Sequence, residues 1–170
     1  MECEYCTLKA ETLMLYMDDN IAAFLPEKGI AAGQVTIMTR EHFPILELVP
    51  DEVVGHIFAI ANVLTMVIFD ALGAQGTNII VQNGVPAGQI VPHFAVQLIP
   101  RNENDGIDFT WQPKQMAEED LEKFKVSIAK EMNTLSEAQI QPALVREPET
   151  TKKISDNKEN YMLKHLKKIP

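Results

Sequence analysis

Two hydrophobic periods alternate along the chain. Leu13–Met17, Ile21–Leu25 and Val35–Thr39 are short runs of apolar and β-branched side chains bounded by polar or glycine-bearing segments, which predicts strands. Asp18-Asp19-Asn20 divides the first two runs and predicts a hairpin turn. Between residues 51 and 72 the period lengthens: Val53, Ile57, Ile60, Ala61, Leu64, Val67, Ile68 and Ala71 form a helical stripe. At 1.5 Å per residue that helix is about 33 Å long, and Gly73 ends it. Residues 77–82 and 93–99 return to the strand period. The expected fold class is therefore α+β, a five-stranded antiparallel sheet with one long helix packed on it. A C-terminal helical extension follows, from about residue 113 to 132, with Leu121, Phe124, Ile128 and Met132 on one side.

This reading divides the chain into a domain over residues 1–112, the C-terminal helix over 113–132, and a polar linker with a basic amphipathic tail over 133–170. Trp111 stands just before the helix, where a core or interface aromatic is the first expectation and a lid over a pocket the second. Of the histidines, His56 within the long helix and His165 in the tail are expected to be surface residues.

The chemistry concentrates in the fifth strand. Side chains two apart share a face, so Phe94, Val96 and Leu98 point to the core while His93, Ala95 and Gln97 stand in a row about 7 Å apart on the other side. Before them runs the loop Gln82-Asn83-Gly84-Val85-Pro86-Ala87-Gly88-Gln89, whose glycines permit a tight turn and close approach to a ligand. Cys3 and Cys6 are the only cysteines, spaced as Cys-x-x-Cys, which suits two thiolates on one zinc ion and requires two further ligands to close a tetrahedron. A redox dithiol is the weaker expectation, because such a pair ordinarily follows a strand and opens a helix.

Asn83-Gly84, Ala87-Gly88-Gln89, His93 and Ile99-Pro100-Arg101 together resemble the histidine-triad (HIT) family, whose pattern is His-x-His-x-His between Ala-Gly-Gln and Ile-Pro-Arg. Phe24-Leu25, Gly33 and Arg40-Glu41-His42-Phe43 extend the resemblance over the first hundred or so residues. The resemblance implies that the middle histidine of the triad is a nucleophile attacking the α-phosphorus of a nucleotide. Here that position is Ala95, and a methyl group can neither attack nor take up a proton. Gln97 stands at the third position, where an amide can still donate to a phosphate oxygen. Ile90 and Pro26 replace the hydroxyl and acidic residues many members carry beside the phosphate and the ribose.

By the same resemblance, Cys3, Cys6, His42 and His93 are the expected ligands of a structural zinc, and the chain is expected to pair into a homodimer. Ligand contacts are expected at Gln82, Asn83, Gly88, Gln89 and Gln97, with no catalytic nucleophile. Three functions follow: a nucleotide- or phosphate-ligand-binding protein with a missing nucleophile, an active nucleotide hydrolase or nucleotidyl transferase in which Ala95 is introduced or bypassed, and a structural module that binds no nucleotide.

Composition narrows the setting. With 170 residues, 46% of them hydrophobic, the chain can bury a real core. The formal charge of −9 disfavours nucleic acid as a partner, though it leaves room for a small phosphate ligand held by local amides. The Met1-Glu2-Cys3 start lacks a basic leader, and the apolar segment 51–72 is interrupted by Asp51, Glu52, His56, Asn62 and Asp70, so neither a signal peptide nor a membrane span is expected. The cytoplasm is the expected compartment.

Overall fold

The computed structural model describes residues 3–8 and 12–135. Five strands, β1 (Leu13–Met17), β2 (Ile21–Leu25), β3 (Val35–Thr39), β4 (Gly76–Val81) and β5 (Ala95–Arg101), form one antiparallel sheet in the order β1-β2-β3-β5-β4. The long helix α1 (Asp51–Leu72) lies between β3 and β4 in sequence and packs over β3 and β5. A second helix, α2 (Glu118–Met132), follows the sheet. This is the α+β arrangement the hydrophobic pattern predicts.

The alternation of β2 separates two clusters. Ile21 and Ala23 join Val35, Ile37, Val96 and Leu98 beneath Ile57, Ala61 and Ile68 of α1. Ala22, Phe24 and Met38 form the opposite face, where Tyr5, Leu8 and Ala95 pack against them. Pairing of Met38 with Ala95 and of Thr36 with Gln97 puts both β5 residues on this second face, away from the helix. Helix α1 ends where Gly73 enters the left-handed region at φ 64° and its N–H reaches the Phe69 carbonyl. Glycine is the residue that takes this conformation without a Cβ penalty.

Two elements begin later than the periodicity predicts. Strand β5 starts at Ala95, two residues past the expected position, because Pro92 has no N–H, the His93 N–H turns back to the Val91 carbonyl, and the Phe94 N–H bonds to Phe43. Helix α2 starts at Glu118 rather than near residue 113, and its acidic first turn of Glu118, Glu119 and Asp120 suits the positive end of the helix dipole. From Gly106 onward the described residues form a separate compact unit, in which Trp111 is exposed, as are Leu121, Phe124, Ile128 and Met132 of α2. The tail, including His165, and most of the linker lie outside the described residues.

The β1–β2 turn is tied to α1 by a contact the sequence does not announce. Asp18 accepts hydrogen bonds from the backbone N–H groups of Asn20 and Ile21, from the Tyr16 hydroxyl at 2.8 Å and from His56 Nε2 at 2.6 Å. Partial burial works against the charged carboxylate, but His56, the two amides and the Tyr16 hydroxyl outweigh it and hold the Asp18 pKa well below the usual carboxylate range. A group depressed in this way adds stability that is complete above the ordinary aspartate pKa, about 4, and is lost as pH falls towards the native value. Asp18→Ala should therefore cost about 2 to 3 kcal/mol in urea unfolding at pH 7, with the difference from the unaltered chain shrinking below about pH 4.

Candidate functional site

The Cys3–Cys6 turn lies on the face of the sheet away from α1, where Tyr5 packs against Ala22, Phe24 and Met38. Its shape is set locally: the Cys3 carbonyl accepts the Cys6 N–H and the Thr7 hydroxyl, both at 3.1 Å. His42 arrives from the segment after β3 and His93 from the segment before β5. One ligand atom from each of Cys3, Cys6, His42 and His93 falls within 4.8 Å of every other. Sulfur to Nδ1 distances are 3.5 Å for Cys3 and His93, 3.3 Å for Cys6 and His42, and 3.6 Å for Cys6 and His93. A tetrahedral zinc with bonds of about 2.3 Å to sulfur and 2.05 Å to nitrogen would set that edge at about 3.6 Å. The four residues thus fit a metal ion, in a closed set that leaves no position for a reacting water.

His93 is oriented for this role from behind. Its Nε2 lies 2.7 Å from the Thr39 carbonyl and 3.1 Å from the Thr39 hydroxyl. Donation to the carbonyl places the proton on Nε2 and leaves the Nδ1 lone pair facing the thiols. Burial, aided by nearby His42 and opposed by the Thr39 carbonyl, lowers the His93 pKa and favours the neutral imidazole a metal needs.

The glycine loop braces the same segment. Gly88 closes it in the left-handed region, at φ 88°. Gln89 donates from Nε2 to the Pro44 and Val91 carbonyls at 2.7 and 3.0 Å, while its Oε1 accepts the Gly84 N–H at 2.7 Å. Asn83 accepts the Leu46 N–H and donates to Glu47. Two of the side chains expected at a ligand are thus engaged with their own chain, which fixes the path leading to His93. Truncating Gln89→Ala orphans the part-buried Gly84 N–H and Pro44 carbonyl, leaves the Val91 carbonyl with the His93 N–H alone, and should cost about 2 to 3 kcal/mol in denaturant unfolding, with a weaker grip on metal because the His93 approach loosens. Gln82 is exposed at the loop's start, and a Cβ on Gly88 would lie 2.5 Å from its amide nitrogen.

Ala95 and Gln97 stand beyond His93 on the open face. Gln97 Oε1 accepts hydrogen bonds from Gln34 Nε2 at 2.9 Å and from the Thr36 hydroxyl at 2.7 Å. Tyr5 is a neighbour that sequence reasoning missed. Its ring makes edge contacts with Phe24 and His93, each at 5.8 Å between centroids. Burial raises its pKa, so the phenol is neutral at working pH. No periodicity marks a single aromatic between two cysteines, which is why it escaped notice.

Comparison with known proteins places this geometry. The HIT domain profile matches residues 7–104. An adenylylsulfatase of Arabidopsis thaliana, HINT3, is 29% identical over 137 residues, covering 79% of this chain and 66% of that protein. The crystal structure of a HIT family member from Bacillus subtilis is 27% identical, with a TM-score of 0.70 over 80% of this chain and 99% of that one. A zinc-bound histidine triad family protein from Mycobacterium smegmatis shares the fold, with a TM-score of 0.56 at 24% identity, over 74% of this chain and 90% of that one. With the profile spanning more than half of its length, and the fold shared with the Bacillus subtilis structure, the chain belongs to the HIT domain family.

Proposed function

We propose that this chain is a zinc-stapled, nucleotide-binding HIT protein whose active site has lost its nucleophile. The observation that carries the reading is Ala95: it sits between His93 and Gln97 on the open face, at the position the family's pattern gives to the attacking histidine. A methyl there closes the covalent route while leaving the surrounding polar groups in place. The Arabidopsis relative, named as an adenylylsulfatase, supports an adenylyl group as the ligand class. The phosphate would lie among the glycine-loop amides, Gly88 and the Gln97 amide, with Gln82, Asn83 and Gln89 framing the loop.

Zinc fits Cys3, Cys6, His42 and His93, and a zinc-bound protein of the same fold supports the assignment. When bound, the ion supplies a crosslink rather than reaction chemistry. The chain's own part is to present two thiolates and two neutral imidazoles, one of them aligned by Thr39.

The reading extends to a homodimer through α1 and the edge strand β4. Phe58, Val63, Met66 and Val67 of α1 and Ile79 of β4 are all large, apolar and exposed, a concentration that a lone soluble surface would not favour. Light scattering on the eluting protein should give twice the chain mass.

Titration calorimetry with AMP, adenosine and inorganic phosphate tests the ligand assignment. Binding of AMP, with adenosine weaker, is the expected result. Absence of binding by all three would move the protein to the class of structural modules.

A further inference from the structure

Beside β5 on the open face, β3 and the residue before it supply a second row of polar side chains. Thr36 and Gln97 are directly opposite partners in the antiparallel pair, so their side chains rise together on one side of the sheet. Gln34, two residues before Thr36, shares that side. Three hydrogen bonds run through this group in one direction. The Ile30 N–H donates to Gln34 Oε1 at 2.8 Å, Gln34 Nε2 donates to Gln97 Oε1 at 2.9 Å, and the hydroxyl of the fully buried Thr36 donates to the same oxygen at 2.7 Å. A backbone N–H can only donate, so it decides which end of the Gln34 amide is the oxygen. That choice leaves Gln34 Nε2 to meet Gln97, and Gln97 must answer with its own oxygen. The polarity of one backbone group is thus handed across two side chains to the face that carries Ala95.

We propose that Gln34 and Thr36 are positioning residues for a phosphate ligand: they hold the Gln97 amide with Oε1 towards β3, so that its Nε2 end is the one a ligand meets. The proposal rests on the nucleotide-ligand reading above and adds to it how position 97 can recognise a phosphate without a charged side chain. The two amide atoms fork from one carbon, so turning Oε1 to Gln34 and Thr36 turns the Nε2 hydrogens away from them. A phosphate dianion accepts hydrogen bonds and donates none, so the Nε2 end attracts it and the Oε1 end repels it. Ala95 and Gln97 are half-buried while Val96 and Leu98 between and beyond them are fully covered, which keeps this amide within reach of a ligand. Without both anchors the amide is free to flip and the side chain to change rotamer. If the donor-out arrangement then holds about a tenth of the time, binding weakens about tenfold.

Calorimetric titration with AMP tests this on the unaltered protein, Thr36→Val, Thr36→Ser, the double variant Gln34→Met/Thr36→Val, Gln97→Leu, and the triple variant that combines the last two. Thr36→Val should weaken AMP binding about threefold and the double variant about tenfold. Thr36→Ser keeps the hydroxyl and should match the unaltered protein. Gln97→Leu is expected to weaken binding at least about tenfold, and in its background removal of both anchors should change nothing further, because they act through Gln97 alone. A packing role for residues 34 and 36 would instead weaken binding by the same factor with or without Gln97, and that result overturns the proposal. So does AMP binding that the double variant, or Gln97→Leu, leaves unmoved, with the nucleotide reading still standing. If the unaltered protein binds no AMP at millimolar concentration, the nucleotide reading and the proposal fall together. Should the double variant not fold, Thr36→Val and Thr36→Ser decide alone: a loss restored by serine supports the proposal, and no loss, or a loss serine does not restore, overturns it.

Discussion

Stripping the metal with a strong chelator should lower the melting temperature by roughly 8 to 16 °C. An ion that binds only the native state adds about 4 kcal/mol when present at a thousand times its dissociation constant, and each kcal/mol shifts the melting temperature of a chain this size by about 2 to 4 °C. The size of the effect follows from what the four ligands join. Cys3 and Cys6 belong to the N-terminal turn, His42 follows β3, and His93 precedes β5. Without the ion, few contacts hold the turn: Tyr5 and Leu8 against the apolar face, and the edge contacts of the Tyr5 ring with Phe24 and His93. Cys3→Ser should reproduce most of the loss and bring the zinc content well below one per chain by elemental analysis. A melting temperature unmoved by chelation would remove the metal from the account.

Much of the fold was legible because the residues that make it repeat with a period. The strands Ile21–Leu25 and Val35–Thr39 and the helix Asp51–Leu72 occupy the bounds their apolar pattern marks, and Gly73 stops the helix as a left-handed cap. Periodicity failed where backbone hydrogen bonds override it. His93 and Phe94 continue the alternation of β5 yet stand outside the strand, since Pro92 lacks a donor and the next two N–H groups find partners in Val91 and Phe43.

The cluster that could hold a metal was legible through the Cys-x-x-Cys spacing and the family pattern, which fix residue types that physics restricts to few tasks. Amides are less specific. Asn83 and Gln89 carry the pattern of ligand contacts, and in the structure their side chains bond Leu46, Glu47, Pro44, Val91 and Gly84. A sequence does not say whether a carboxamide faces a ligand or its own backbone. The His56 and Asp18 pair was equally closed to inspection, because 38 residues separate its members and only the packing of α1 on the hairpin brings them together.

The other large effect concerns Ala95. Restoring a histidine there returns the nucleophile to a strand that already holds His93 and Gln97 in line. Removing a nucleophile from comparable enzymes costs about 10^4 to 10^6 in rate, or roughly 5 to 8 kcal/mol of barrier. Ala95→His is expected to recover a gain of that order in AMP release from an adenosine phosphoramidate. The substitution replaces none of the four candidate metal ligands, and zinc content should stay constant.

The most direct test of a disarmed nucleotide site is that same release of AMP, followed side by side for the unaltered protein and Ala95→His. The account predicts no release above background by the unaltered chain and release at least about 10^4-fold faster with His at position 95. Turnover by the unaltered protein at a rate matching Ala95→His would contradict it, because the chemistry would then run through a group other than the one this chain lacks.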